Sequence, residues 1–341
     1  MLNSGYDAPM LAWLLSLLFV PAGFLYNDPA ADQLIRQTMQ STYNLHLADA
    51  REGAKSLESR FPDHPVGYTL MAETYWWEAQ MDPGNAGIEN AYYAAQKLAA
   101  EKGEAALKLT KYPRTEVEAY LEYAYGSYAQ FQVTQKGAYF SALRMGLRAH
   151  KYAEEVYALD NTYYDIYVGK GAFNYFTGSL PAMIKPFAFL IGARGNRDLG
   201  IDELKTAMSK ARYAQTEARI IYYTAMREER NWPEAFRVLA TLRSDYKDNF
   251  VLYTWVTDWH RMQEKNLAGA DYFEKVFSEE IKRSPTMAKY ALLEEVQLQD
   301  AERHRADALQ TMARLKAIPG VDVLLAKKIQ AMDKTLRKQL P

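Results

Sequence analysis

Glu118 and Glu122 stand one helical turn apart, with Glu116 close by. Two carboxylates at that spacing can share a proton for acid–base work; the same spacing also describes the solvated side of a helix. His150 and Glu154 repeat the interval, either as half of a metal site or as an ordinary helix-face pair. The remaining histidines are His46, His64, His260 and His304. None of the five belongs to a His-Glu-x-x-His motif, and none has Glu three positions before it, so metalloprotease and di-iron helix patterns are absent. Gly126-Ser127-Tyr128-Ala129 brushes against a nucleophile elbow but lies inside a helical run. Gly169-Lys170-Gly171 lacks the third glycine of a dinucleotide fingerprint and follows no strand. There is no cysteine, which removes disulfides, thiolate zinc sites, a cysteine nucleophile and a lipidated N-terminal Cys. The expectation is a chain without enzyme activity, cofactor or metal.

Aromatic residues are the richest chemistry present. Tyr75, Trp76 and Trp77 are consecutive, Tyr92-Tyr93 follow, and Tyr120, Tyr123, Tyr125 and Tyr128 share one helix. Tyr163, Tyr164 and Tyr167 come next. Consecutive aromatics cannot all face one core stripe, because each residue turns 100° around a helix. The functional reading places Tyr75, Trp76, Trp77, Tyr123 and Tyr167 in a concave groove as rigid anchors for a partner segment. The plainer reading uses them in packing between helices.

These residues must be positioned by helices. Of the 341 residues 49% are hydrophobic and 24% charged, which permits a substantial core and excludes general disorder. The net charge of -1 gives no electrostatic footprint for nucleic acid. From Asp28 onward apolar residues recur at three and four, as in Leu121, Ala124, Tyr125, Tyr128 and Phe131. Pro and Gly punctuate these runs, for example at Pro62, Pro83-Gly84, Pro113, Pro233, Pro285 and Pro319-Gly320.

A 34-residue register fits this pattern. With Pro62 at position 32, Ala50 and Ala54 occupy the small-residue positions of a second helix, and Ala72 occupies that of the next first helix. With Asn161 at position 32, Ala149, Ala153 and Gly171 do the same, and Ala235 and Ala308 open two later second helices. Small residues let helices approach closely while large neighbours fill the groove around them. The expected fold is all-α: a tetratricopeptide-repeat-like solenoid of antiparallel helix hairpins. One helical-repeat domain is expected over residues 28–341, with an irregular block at 165–215.

That block reads Asp165-Ile-Tyr-Val-Gly169-Lys-Gly171, then Gly178-Ser-Leu-Pro181, and later Gly192-Ala-Arg194-Gly195-Asn-Arg197-Asp198-Leu-Gly200. It resembles the tetratricopeptide-repeat family that includes the yeast inclusion-body clearance protein Iml2 and the animal TTC39 proteins. The likeness covers about 60 residues: a Gly-rich helix, Ser-Leu-Pro, a hydrophobic helix, and a Gly-x-x-Gly-x-Arg-Asp-x-Gly turn. It implies a helical repeat protein with no known enzyme activity, a bacterial relative. Those family members are longer and intracellular, so their cellular roles do not carry over. Read directly, Asn196 or Asp198 can cap the helix that begins near Leu199. Arg194 and Arg197 then flank that helix's N-terminus, either as a small anion or carboxylate site or as turn residues pairing with neighbouring acids.

Residues 10–26 contain no charge, and Val20-Pro21-Ala22 offers small residues for cleavage. An export signal ending after Ala22 is the first reading, with a periplasmic or otherwise exported location. The segment before it carries Asp7 and no cation, which departs from a normal signal. A membrane anchor over residues 10–26 and a buried apolar helix are the alternatives. The functional expectation is an interaction scaffold for a protein partner; the alternative is an envelope protein binding a small carboxylate or sugar.

Overall fold

A computed structural model describes residues 24–180, 182–190, 192–320 and 323–338. The expected signal or anchor lies almost wholly outside these residues. Among the described residues there are sixteen α-helices, two short 3-10 turns and no strand. No helix among them is long and apolar enough to cross a membrane.

The chain opens with the hairpin α1 (Pro29–Tyr43) and α2 (Leu47–Arg60). Next come α3 (Val66–Met81) with α4 (Ala86–Ala106), α5 (Arg114–Lys136) with α6 (Tyr139–Leu159), and α7 (Tyr167–Gly178). A short α8 (Lys185–Leu190) precedes α9 (Arg197–Lys210). Three hairpins follow: α10 (Gln215–Glu228) with α11 (Trp232–Asp245), α12 (Val251–Met262) with α13 (Asn266–Arg283), and α14 (Pro285–Ala301) with α15 (Arg305–Ala317). The last helix is α16 (Val323–Lys338). The fold is an all-α solenoid of antiparallel hairpins.

The small-residue register explains the spacing of the hairpins. Ala50, Ala54, Ala72, Ala153, Ala235 and Ala308 are all fully buried. Closer still is the irregular block, where α7 and α9 cross backbone to backbone. A Cβ on Gly200 would sit 2.5 Å from the Tyr175 nitrogen, and one on Gly195 would sit 2.4 Å from the Asn174 carbonyl. Only glycine allows that approach. The glycines of this block are therefore a packing device.

Proline marks several helix starts, with Pro233 and Pro285 in first turns where a missing N–H costs nothing. Asn196, not Asp198, caps α9 by accepting the Leu199 N–H at 3.1 Å. Four hairpin turns lack both Gly and Pro at the critical position. Leu45, Arg230, Glu264 and Arg303 take left-handed backbone, with φ between 56 and 64°. In each, the following N–H reaches back to a helix carbonyl, as in Asn231 to Met226 at 2.9 Å. This is the wrapped helix ending that glycine usually provides.

The N-terminal hairpins also touch the second half of the chain. Asn249 donates to the Tyr43 carbonyl at 2.8 Å, and the Tyr43 and Tyr246 rings lie 5.1 Å apart. Lys327 on α16 pairs with Asp82 at the end of α3 at 2.8 Å. Arg212 pairs with Asp32 on α1 at 3.0 Å. Trp76 and Trp77 of α3 thus share one core cluster with residues of α10, α12 and α14. Accordingly α3 and α14 are buried nearly all round, as a central helix must be.

Candidate functional site

The expected anchors on α3 do not line an open groove. Trp77 is 1% exposed; its ring packs against Tyr43 edge-on and stacks with Trp255 of α12 at 6.2 Å. Trp255 in turn stacks on Tyr223 of α10 at 5.6 Å. Trp76 is buried beside Trp77. The expectation that one indole must face a free surface is corrected here: distant helices supply the second covering face. Tyr75 is half-buried beneath the Arg51 guanidinium at 4.3 Å. Tyr123 donates its hydroxyl to Glu73, and Tyr167 donates to the Asn161 carbonyl at 3.0 Å. Trp76, Trp77 and Tyr123 lie in or beside the interior near Glu73, while Tyr75 and Tyr167 lie apart at the edges, so the five do not form one open groove.

The acidic residues are not on a solvated helix side. Glu116, Glu118 and Glu122 are all buried, each among different neighbours. Glu116 accepts the Leu25 N–H at 3.0 Å, fixing the start of the described chain, with His64 Nε2 at 3.8 Å. Glu118 accepts from Arg114 Nε at 2.6 Å. Glu122 faces Gly169, and burial pushes its carboxyl up to about 8. Burial raises Glu73 to about 7 despite its hydrogen bond from Tyr123. His150 stacks on Phe173 at 3.9 Å, and Glu154 is taken by Lys170. That makes His150 and Glu154 a packed helix-face pair. Among the described residues no cluster of three or more His, Asp or Glu is arranged to hold a metal ion.

Arg194 and Arg197 diverge. Arg194 lies over the Phe189 ring at 4.2 Å, while Arg197 forms an ion pair with Glu229. Glu229 is further held by the Tyr175 hydroxyl at 3.0 Å. A cleft of about 650 Å³ opens here between α9 and α10, lined by Arg197, Lys205, Tyr222 and Glu229. Its arginine is already neutralised.

An aromatic-lined groove does exist, on the face of α4, α5 and α6. It has a volume of about 640 Å³. Helical spacing on α4 places Tyr93, Lys97, Ala100, Glu101 and Glu104 along one stripe, with Lys108 just past its end. From α5 come Ala124, Tyr125 and Tyr128, and from α6 Met145 and Arg148. The Tyr93 and Tyr128 rings meet at 5.3 Å.

One carboxylate organises this groove. Glu104 Oε1 accepts from the Tyr152 hydroxyl at 2.7 Å, the Arg148 guanidinium at 2.7 Å and the Tyr125 hydroxyl at 3.2 Å. Burial opposes its charge, yet these donors outweigh burial and hold Glu104 below its ordinary value. Burial, with Glu104 nearby, pushes the Tyr125 phenol up to about 12. Arg148 covers the Tyr125 ring at 4.2 Å. Side chains fixed in this way lose little freedom when a partner docks. Tyr125 and Tyr128 belong to the aromatic run noted in the sequence. Tyr93 was in that run as well; Glu104 and Arg148 were missed there, and the signal was the i, i+4 recurrence along residues 93–108.

No protein-family model matches the chain, and no curated protein sequence matches it. Among solved structures it is similar to a tetratricopeptide repeat protein from Parabacteroides merdae. The identity is 14%, over 88% of this chain and 99% of that one, with a TM-score of 0.36. It is also similar to the C-terminal part of a TPR repeat-containing protein from Cytophaga hutchinsonii. Here the identity is 16%, over 86% and 98% of the two chains, with a TM-score of 0.36. The TPR domain of P58(IPK) matches at 12% identity and a TM-score of 0.19, over 89% and 98%.

Proposed function

We propose that this protein is a non-enzymatic interaction scaffold of the cell envelope, and that the α4–α6 groove receives a segment of a protein partner. The observation that carries the reading is the groove itself: the partly open, mutually packed Tyr93 and Tyr128 beside a Tyr125 fixed by Glu104 and Arg148. Tyrosine supplies large, amphipathic contact area at low entropic cost. The small side chains of Ala100, Ala105 and Ala124 in the lining leave room for a helix to lie close. Lys97, Lys108, Glu101 and Glu104 give the rim both signs of charge, which suits a polar rim around a docked apolar stripe.

The test is affinity capture from native extracts with the wild type beside a Tyr93→Ala/Tyr128→Ala double variant of unchanged melting temperature. A protein retained by the wild type and lost from the variant supports the groove. Identical captures from the two baits sink it. The anion-site reading at Arg197 gains no support, because Glu229 already occupies that guanidinium.

A further inference from the structure

From residue 166 to residue 197 the chain contains no Asp or Glu, but carries Lys170, Lys185, Arg194 and Arg197. That is a local excess of positive charge in a chain whose net charge is -1. Lys170 and Arg197 are consumed by ion pairs with Glu154 and Glu229. Lys185 and Arg194 are exposed, and neither forms an ion pair among the described residues.

Around those two cations the loop carrying α8 turns Met183, Phe189 and Leu190 outward. Met183 is 80% exposed, Leu190 79% and Phe189 58%. The small residues Ala188 and Ala193 are the buried ones. This inverts the usual pattern of a surface segment, which hides its large apolar groups and shows small or polar ones. Leu199, in the first turn of α9, adds a further half-exposed apolar group. Arg194 rests on Phe189, so a cation stands at the edge of the apolar patch.

We propose that the α8 loop is a membrane-docking element. It places Met183, Phe189 and Leu190 among lipid acyl chains, with Lys185 and Arg194 on anionic headgroups. Exposed large apolar groups with a basic, acid-free rim are the chemistry of an interfacial segment, where burial and headgroup attraction act together. A second copy of the chain is the poorer occupant. Two-fold pairing of this patch would bring Lys185 and Arg194 of both molecules together, with no acid in the loop to answer them.

Because the chain has no cysteine, Leu190→Cys gives a single attachment point for the environment-sensitive fluorophore NBD in the full-length protein. Glu279→Cys, on exposed α13 surface, is the control. With phosphatidylglycerol vesicles, emission from position 190 should rise at least threefold and shift to the blue, while position 279 stays flat. This readout follows the loop itself, whatever residues 1–22 contribute to vesicle binding. Adding Lys185→Glu/Arg194→Glu should weaken the response at least tenfold, since each cation near an anionic surface contributes about a fivefold factor. No rise at position 190 overturns the proposal. So does an equal rise with pure phosphatidylcholine, or a rise that follows protein concentration without vesicles, which would assign the patch to a second copy.

Discussion

Trp77 on α3 is 1% exposed, whereas Tyr93 and Tyr128, on the next two helices along, remain partly open. Their local sequences are alike: aromatic residues in pairs or at helical spacing, between small residues. What separates them is a second covering surface. Trp77 meets Trp255, which α12 supplies from far along the chain. Tyr93 and Tyr128 pack on each other at the groove and stay partly open, while Glu104 and Arg148 fix the buried Tyr125 beside them. The lesson is that aromatic content marks where a surface will be covered, not by what. One cluster is covered by the chain itself and the other is left for a partner.

The strongest way to break this contrast is Trp77→Ala. It should lower the free energy of unfolding by about 3–5 kcal/mol, as for a large buried aromatic, and urea denaturation measures it. A loss under about 1 kcal/mol would mean that the closed cluster does not hold its helices together.

The buried acids of the closed interior give the next effect. Burial raises Glu122 to about 8. The folded state therefore keeps a proton that the unfolded chain releases near 4.5. Stability from this group is complete below that value and is lost as pH rises toward 8. Glu122→Gln should flatten this slope and stabilise the protein at pH 8 by about 2 kcal/mol relative to its effect at pH 4.5. Melting curves across that range decide it, and an unchanged slope removes Glu122 as the source.

Tyr128→Ala sharpens the contrast from the open side. It should cost about 1 kcal/mol or less of stability while reducing partner capture tenfold or more. A cost as large as that of Trp77→Ala would place Tyr128 in the core. The smallest effect belongs to the turns. Glu264→Gly relieves a left-handed residue, and should gain about 0.5 kcal/mol after the added flexibility of the unfolded chain is subtracted. A loss of stability would show that the Glu264 side chain matters more than its backbone.

Much of the framework was legible in the sequence. Apolar spacing of three and four gave helices, and the positions of Ala50, Ala54, Ala72, Ala149 and Ala153 gave the register in which they pack. The glycine block announced an irregular crossing, which α7 and α9 supply. The turns at Leu45, Arg230, Glu264 and Arg303 were invisible, because helix-end hydrogen bonds impose left-handed backbone on residues whose types do not favour it.

The candidate site was legible only in kind. An aromatic groove was expected, but around Trp76 and Trp77, and the acids of α5 were open to a solvated reading. The sequence by itself determined the helices, the small residues on which they pack and the positive, acid-free stretch around α8. These depend on neighbours within a turn or two, where spacing fixes geometry. Only the tertiary structure decided which aromatics stay open, which carboxylates are stripped of water and which arginines are already paired. Each of those depends on a side chain far away in sequence, such as Trp255 beside Trp77 or Glu229 beside Arg197. Local periodicity carries no information about which distant helix comes to rest on a given face.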